Sequence, residues 1–296
     1  MKKIFRILGL MLVSVIGLVI FAAVILYLIG NARLNKTYEY PPSDLVIPTS
    51  EEDIEYGREQ TEFFCTGCHG DDLGGINDWL EMGPLGSLDS TNLTSGEGGI
   101  GDEYTDEDFV RALRHGIDPE GKPIYMPAVS ATSHLSDRDL AAIIAYIRTA
   151  PPINRRLRGE QFTPIAKILM ALGMVPPPPV EIVSHDIHVV APEAGITVEY
   201  GRYMVDILDC RLCHGEDLGG ANFPDPTVGI KVPGINSTGE VGFWSEEDFI
   251  NTMRTGITPS GHEMDPELMP WEEVGTKLTD DELRAIWIYL QSLPPK

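Results

Sequence analysis

Phe63-Phe-Cys-Thr-Gly-Cys-His-Gly-Asp-Asp-Leu-Gly-Gly75 decides how this chain is read, because it occurs twice. Glu55-Tyr-Gly-Arg58 leads into Cys65-Thr-Gly-Cys68-His69-Gly-Asp-Asp-Leu-Gly-Gly75. Glu199-Tyr-Gly-Arg202 leads into Cys210-Arg-Leu-Cys213-His214-Gly-Glu-Asp-Leu-Gly-Gly220, 145 residues later at the first cysteine. The likeness continues downstream. Thr105-Asp-Glu-Asp-Phe-Val and Leu113-Arg-His-Gly-Ile117 match Ser245-Glu-Glu-Asp-Phe-Ile and Met253-Arg-Thr-Gly-Ile257. Ser136-Asp-Arg-Asp-Leu-Ala-Ala-Ile-Ile-Ala-Tyr-Ile-Arg148 matches Thr279-Asp-Asp-Glu-Leu-Arg-Ala-Ile-Trp-Ile-Tyr-Leu-Gln291, and both copies close on a double proline, Pro151-Pro152 and Pro294-Pro295. Two copies of about 100 residues are a tandem of similar domains rather than a solenoid, which needs at least three.

Each copy reads as helical. Thr105 and Ser245 have an acid three residues on, a capping-box start, and Ser136 and Thr279 open the last helices. Leu140, Ile143, Ile144 and Ile147 form one stripe at helical spacing, as do Leu283, Ile286, Trp287 and Leu290; both stripes are core faces. No alternating strand pattern of any length stands out. The stretches between the helices are rich in Gly, Pro, Asn and Thr. Irregular loops that long imply that something large fills the middle of each domain.

All four cysteines lie in the two Cys-x-x-Cys-His motifs, so none remains for a disulfide framework. A thioredoxin-like dithiol lacks its βαβ context, and a shared four-cysteine zinc site leaves both adjacent histidines idle. Cys-x-x-Cys-His is the attachment signal for c-type haem. Two thiols three apart on a helical turn can each form a thioether to a vinyl group, and the next residue puts an imidazole under the iron. The expectation is two covalently bound haem c groups, with His69 and His214 as proximal ligands. For the sixth ligand, Met126 lies nine residues before Leu135, and Met269 lies nine before Leu278; Met264 lies 14 before it. Met126 and Met269 both precede proline, and they are assigned. Methionine at the sixth position makes a closed electron-transfer iron, whereas an open position permits catalysis.

The remaining histidines, His115, His134, His185, His188 and His262, have no counterpart in the other copy and read as surface or loop residues. His134, close after Met126, is the one to test as a substitute ligand. Arg114 and Arg254 do recur; each is either the partner of a haem propionate or an exposed helix-end arginine.

The chain has 296 residues with 45 acidic against 22 basic side chains and a net charge of -23. That balance argues against a nucleic-acid partner and suits a basic protein docking face. The N-terminus stands apart. An uncharged apolar run from Ile7 to Ile29 follows Lys2, Lys3 and Arg6. As a helix it is about 34 Å long, enough for a ~30 Å hydrocarbon core. Phe21-Ala-Ala-Val imitates a signal-peptide exit, but the run is longer than a signal peptide needs, which favours a retained anchor. The preceding lysines and arginine favour a cytoplasmic N-terminus, with Arg33 and Lys36 pulling weakly the other way. Everything after about residue 31 is then expected on the periplasmic side of the inner membrane. The boundaries drawn are 1–36 for a transmembrane anchor, 37–152 for the first domain, 153–198 for a linker and 199–296 for the second domain. The linker holds a basic knot (Arg155, Arg156, Arg158), an apolar stretch of helical spacing from Phe162 to Val175, and a stiff Pro176–Pro179 run. It reads as packing against both domains, with contact to anionic lipid as the minority alternative.

Each copy resembles a class I cytochrome c domain. The fuller wording (Glu55-Tyr-Gly-Arg, Cys-x-x-Cys-His-Gly-x-Asp-Leu-Gly-Gly, Asn92 to Ile117, Met126-Pro127, Leu135 to Pro152) is similar to the multihaem cytochrome subunits of membrane-bound bacterial alcohol and sugar-acid dehydrogenases. The resemblance covers about residues 51–152 and 199–296. It implies an all-α fold wrapped around haem, with helices near each domain's ends packed together. It also implies Cys65, Cys68, His69 and Met126 for one haem, and Cys210, Cys213, His214 and Met269 for the other. Those subunits usually carry three haem domains and touch the membrane near their C-terminus; here two motifs and an N-terminal anchor are seen. The expected function is single-electron relay between redox partners, a membrane electron-transfer complex and/or a basic soluble carrier, with no catalysis of its own. The alternative is a dihaem peroxidase-like enzyme, which needs one open iron. A further rival is a non-catalytic docking subunit wired by its haems.

Overall fold

The computed structural model describes residues 2–223 and 229–294; Pro295 of the second double proline lies outside the described residues. The chain divides into two compact units, Met1–Val129 with Ala141–His185, and Ser130–Leu140 with Asp186–Lys296. The segment expected to be a linker is thus shared out, its greater part belonging to the first unit.

In chain order the helices are α1 (Lys2–Leu34), α2 (Glu51–Phe64), α3 (Thr66–His69), α4 (Asp106–His115), α5 (Val129–Thr132), α6 (Asp137–Thr149), α7 (Pro164–Ala171), α8 (Val198–Ile207), α9 (Cys210–His214), α10 (Glu246–Thr255), α11 (Trp271–Lys277) and α12 (Asp280–Ser292). Short strands join them. In the first unit β1 (Leu80–Glu81), β2 (Gly86–Leu88) and β3 (Glu160–Phe162) form an antiparallel sheet in that order, with Ser87 opposite Glu81 and Gln161. In the second unit β4 (Ala221–Asn222) pairs with β5 (Lys231–Val232). Strands of two or three residues are too short to show alternation, so the sequence read these stretches as loop. The molecule is mostly helical.

The capping boxes read at Thr105 and Ser245 form, and Thr279, read as a helix start, makes a third. Thr105, Ser245 and Thr279 each accept from the backbone three residues on, and Asp108, Asp248 and Glu282 each reach back to the cap's own N–H. Ser136 accepts from Asp139 N in the same way at 3.1 Å. Both predicted stripes are core: Leu140, Ile143, Ile144 and Ile147, and Leu283, Ile286, Trp287 and Leu290, are all buried.

The first and last helices of each repeat cross at a glycine. A Cβ on Gly57 of α2 would stand 2.0 Å from the Ala142 carbonyl oxygen of α6, and one on Gly201 of α8 would stand 1.9 Å from that of Ala285 in α12. The crossing partners are also matched, since Tyr146 and Tyr289 supply the next nearest side-chain atoms. Only a residue without a side chain lets the backbones come this close. This is the end-helix packing that the resemblance implied.

α1 projects its apolar side chains into the surroundings, with none of its apolar core window buried. Lys3–Leu34 is a candidate membrane span by length and composition.

Candidate functional site

Each Cys-x-x-Cys-His motif folds into one tight helical turn. In the first repeat, α2 ends at Cys65, whose carbonyl accepts from Cys68 N at 3.2 Å and from His69 N at 2.9 Å. The turn closes at Gly70, whose φ of 77° swings the chain away. In the second repeat α9 carries Cys210 to His214 and stops at Gly215, φ 82°. None of the four cysteines is paired in a disulfide. Burial pushes the Cys65 and Cys210 thiols up to about 12, so neither is a ready thiolate. Among the described residues no group of three or more His, Cys, Asp and Glu side chains is gathered as a cation would need.

The histidines are held alike. His69 is buried, and its Nδ1 lies 2.6 Å from the Thr91 carbonyl oxygen. His214 is buried with Nδ1 2.9 Å from the Pro233 carbonyl oxygen. A carbonyl only accepts, so each Nδ1 carries the proton and each Nε2 keeps its lone pair, the tautomer a metal-bound imidazole needs. Burial lowers the pKa of both rings, against a smaller opposing pull from the carbonyl, and so favours the neutral, ligating form. Two thiols and a neutral buried imidazole on one turn form the donor set of a covalently held haem, and the residues present fit that group.

Support behind the turn is also duplicated. Leu73 and Leu218 both sit in the left-handed region, φ 55° and 57°, and both are buried. That conformation is costly for leucine, so its occurrence at matched positions marks a local requirement. Gly75 N donates to the His69 carbonyl and Gly220 N to that of His214, at 2.8 and 2.9 Å. The buried Asn92 and Asn236 each turn a side-chain oxygen onto the backbone and hydroxyl of the threonine two residues on. Sequence reasoning passed over these asparagines. The signal was there in Asn92-Leu-Thr94 and Asn236-Ser-Thr238.

Met126 and Met269 both lie half-buried in the loops before the last helices. Backbone register separates Met264 from them. Ile117 bridges Pro123 as Ile257 bridges Glu263, and Ile124 N donates to Gly116 O as Met264 N donates to Gly256 O, at 2.8 and 2.7 Å. Met264 therefore stands where the first repeat has Ile124, and the second repeat carries three extra residues before its Met-Pro pair.

Arg114 is fully buried, which removes the exposed helix-end reading for it. Arg254 is half-buried and bonds Gly275 O and, at 2.6 Å, Asp280. His115 also departs from expectation. It is buried at 2% exposure, stacked on Tyr40 at 4.4 Å, with its Nδ1 3.2 Å from that of His185. The chain between α1 and α2 covers it, a long-range contact that a histidine's sequence position does not reveal. Burial, with the neighbouring His185 and arginines, brings it down to about 4. His134 is half-buried, and His188 pairs with Asp137 at 3.0 Å.

The basic knot is spent inside the first unit. Arg155 pairs with Asp72 at 2.9 Å and donates to Gly75 O, Arg156 pairs with Glu97, and Arg158 grips Asp78 and the buried Asp89. These arginines hold the loop behind the first motif. The apolar part of the segment closes over the Met126 loop. Glu160 accepts from Tyr125 N at 2.5 Å, Pro176 O accepts from the Tyr125 hydroxyl at 2.8 Å, and Phe162 meets the Tyr125 ring edge-on at 4.9 Å.

Comparison with known proteins agrees with this geometry. Residues 52–147 match the family model described as cytochrome c oxidase, cbb3-type, subunit III. The diheme cytochrome c-type protein of Cereibacter sphaeroides is 30% identical over 211 residues, covering 66% of this chain and 68% of that relative. The chain belongs to the c-type cytochromes. As a c-type cytochrome it carries covalently bound haem c. It is also 29% identical to the fructose dehydrogenase cytochrome subunit of Gluconobacter japonicus, over 78% of this chain and 50% of the relative. The gluconate 2-dehydrogenase cytochrome c subunit of Pantoea cypripedii is 29% identical over 72% of the chain and 52% of the relative. The cytochrome thus spans about half the length of these dehydrogenase subunits.

Proposed function

We propose that this cytochrome is a membrane-anchored dihaem electron relay. The observation that carries the reading is the twice-built turn of two thiols and a buried, Nδ1-protonated histidine. Cys65 and Cys68 would attach one haem under His69, and Cys210 and Cys213 the other under His214, with Met126 and Met269 as sixth ligands. Haem supplies the one-electron redox change. The chain supplies the rest: the carbonyls of Thr91 and Pro233 fix each imidazole tautomer, the cysteines fix position, and the buried helix faces exclude water. Arg114, buried in the last turn of α4 and matched by Arg254 in the other copy, is the candidate propionate partner.

α1 would anchor the protein in the inner membrane with both haem domains on the periplasmic side. The names of the dehydrogenase relatives support a place beside a dehydrogenase or another membrane electron-transfer complex. The acidic surface suits a basic soluble carrier as acceptor. The test is haem content per chain of the purified membrane fraction, together with the near-infrared methionine–iron band of the oxidised protein. Two haems and a band worth two methionine-ligated irons are expected. One missing methionine signal, with a high-spin iron that binds cyanide readily, would replace the relay with the peroxidase-like alternative.

A further inference from the structure

We propose that α7 and the turn after it are a membrane-interface foot, held against the exit end of α1 with their apolar side chains in the bilayer's boundary layer. The inference rests on reading α1 as a membrane anchor.

α7 is Pro-Ile-Ala-Lys-Ile-Leu-Met-Ala, with one charge in eight residues. Its Ala166 and Met170 are fully buried, so one face is already packed inward. The other face remains apolar: Ile165 is 53% exposed and Leu172 52%, with Met174 at 65% just beyond. Ile165, Leu169 and Leu172 recur at helical spacing on that side. A short helix that is apolar on both faces is not designed for water.

Its position says what covers it. α7 packs against the last turns of α1, so closely that a Cβ on Gly30 would stand 1.9 Å from the Lys167 carbonyl oxygen. The single charge, Lys167, reaches across to the Asn31 side chain at 2.8 Å and lies over the Tyr27 ring at 5.5 Å. Tyr27, Asn31 and Arg33 are where the apolar run of α1 turns polar, which is the level of the headgroups for a spanning helix. Arg33 pairs with Glu181 and so fixes the segment after α7 at the same level. The exposed apolar side chains of α7 are therefore held at the level where α1 turns polar. The basic side chains nearby are engaged within the protein, so the contact is apolar burial, not attraction to anionic headgroups.

The test uses the full haem-loaded chain in phosphatidylcholine vesicles. A nitroxide is placed singly on Leu172→Cys, on Val15→Cys in α1 and on the exposed Glu120→Cys, and relaxation by oxygen is compared with that by a water-soluble nickel complex. Leu172 should favour oxygen over nickel, as Val15 does, while Glu120 shows the reverse; adding phosphatidylglycerol should change none of the three. An aqueous Leu172 beside a lipid-exposed Val15 overturns the foot and leaves the anchor standing. An aqueous Val15 overturns the anchor and the foot with it. A Leu172 that meets lipid only when phosphatidylglycerol is present replaces apolar insertion with headgroup attraction.

Discussion

The two repeats build the same interior and wear different coats. Inside, the histidine–carbonyl bond and the glycine crossing recur within a few tenths of an ångström, and the left-handed leucine recurs at φ 55° and 57°. Outside they diverge at matched positions. Ile117 is wholly buried, whereas Ile257 is 47% exposed. His115 lies under Tyr40 and His185, while its counterpart Thr255 is exposed. The first repeat owes its cover to chain outside the repeat, residues 36–50 and 153–185. The second repeat holds its methionine loop with its own Trp271, whose indole N–H donates to Met264 O at 3.0 Å. On the proposed dihaem reading, haem chemistry dictates what must be duplicated, and neighbouring chain decides how each copy is covered.

The largest effect should come from the attachment residues. Cys65→Ser with Cys68→Ser, or Cys210→Ser with Cys213→Ser, should each remove one haem of two, read by haem content per chain. Loss of both haems from either variant would show that the copies do not mature independently. Next, Met126→Ala and Met269→Ala should each abolish half of the near-infrared methionine–iron band, while Met264→Ala leaves it whole. A band that fell with Met264 would break the register drawn through Gly256.

Much of this was legible in the sequence because it is written locally and twice. The Cys-x-x-Cys-His turns, the capping boxes and the helical stripes depend on residues within a turn or two of each other. What was not legible depends on distant chain. Nothing in Arg155-Arg-Leu-Arg158 says that its partners are Asp72, Glu97 and Asp89, and nothing near His115 announces Tyr40. The glycine crossings were visible only as the repeated Glu-Tyr-Gly-Arg, whose meaning needs the partner helix.

Those crossings offer a symmetric control. Gly57→Ala and Gly201→Ala each drive a methyl group into a carbonyl oxygen, an overpacking that costs typically about 1–3 kcal/mol. Thermal unfolding followed at each haem should show equal losses in the two copies. A large loss in one alone would mean that its coat, and not the helix crossing, dominates its stability.

The basic knot should produce an asymmetric pH response. Arg158 chiefly, with the backbone N–H groups of Asp78 and Arg158, holds the buried Asp89 carboxyl down to about 2. A depressed carboxyl contributes stability above its ordinary value of about 4 and loses it as pH falls toward about 2. The first repeat should therefore weaken across that acid window, and Arg158→Ala should flatten the dependence while lowering its unfolding midpoint at neutral pH. The Arg254–Asp280 pair of the second repeat is exposed at its acid and should give a shallower response.

The smallest effect sharpens the comparison most. Tyr125→Phe removes one hydroxyl, and with it the hydrogen bond to Pro176 O, while leaving the edge-on contact with Phe162. A lost hydrogen bond of this kind costs about 1 kcal/mol. Tyr125 has Asp265 at its register position, so this hydroxyl clamp is not repeated at that position. On warming the oxidised protein, the methionine band of the first haem should fade at a lower temperature in the variant, and that of the second should fade as before. If both bands shifted together, the cover over Met126 would be supporting the whole molecule rather than one iron. If neither moved, the 153–185 segment would be a passive wrapping, and the difference between the two coats would have no consequence for ligation.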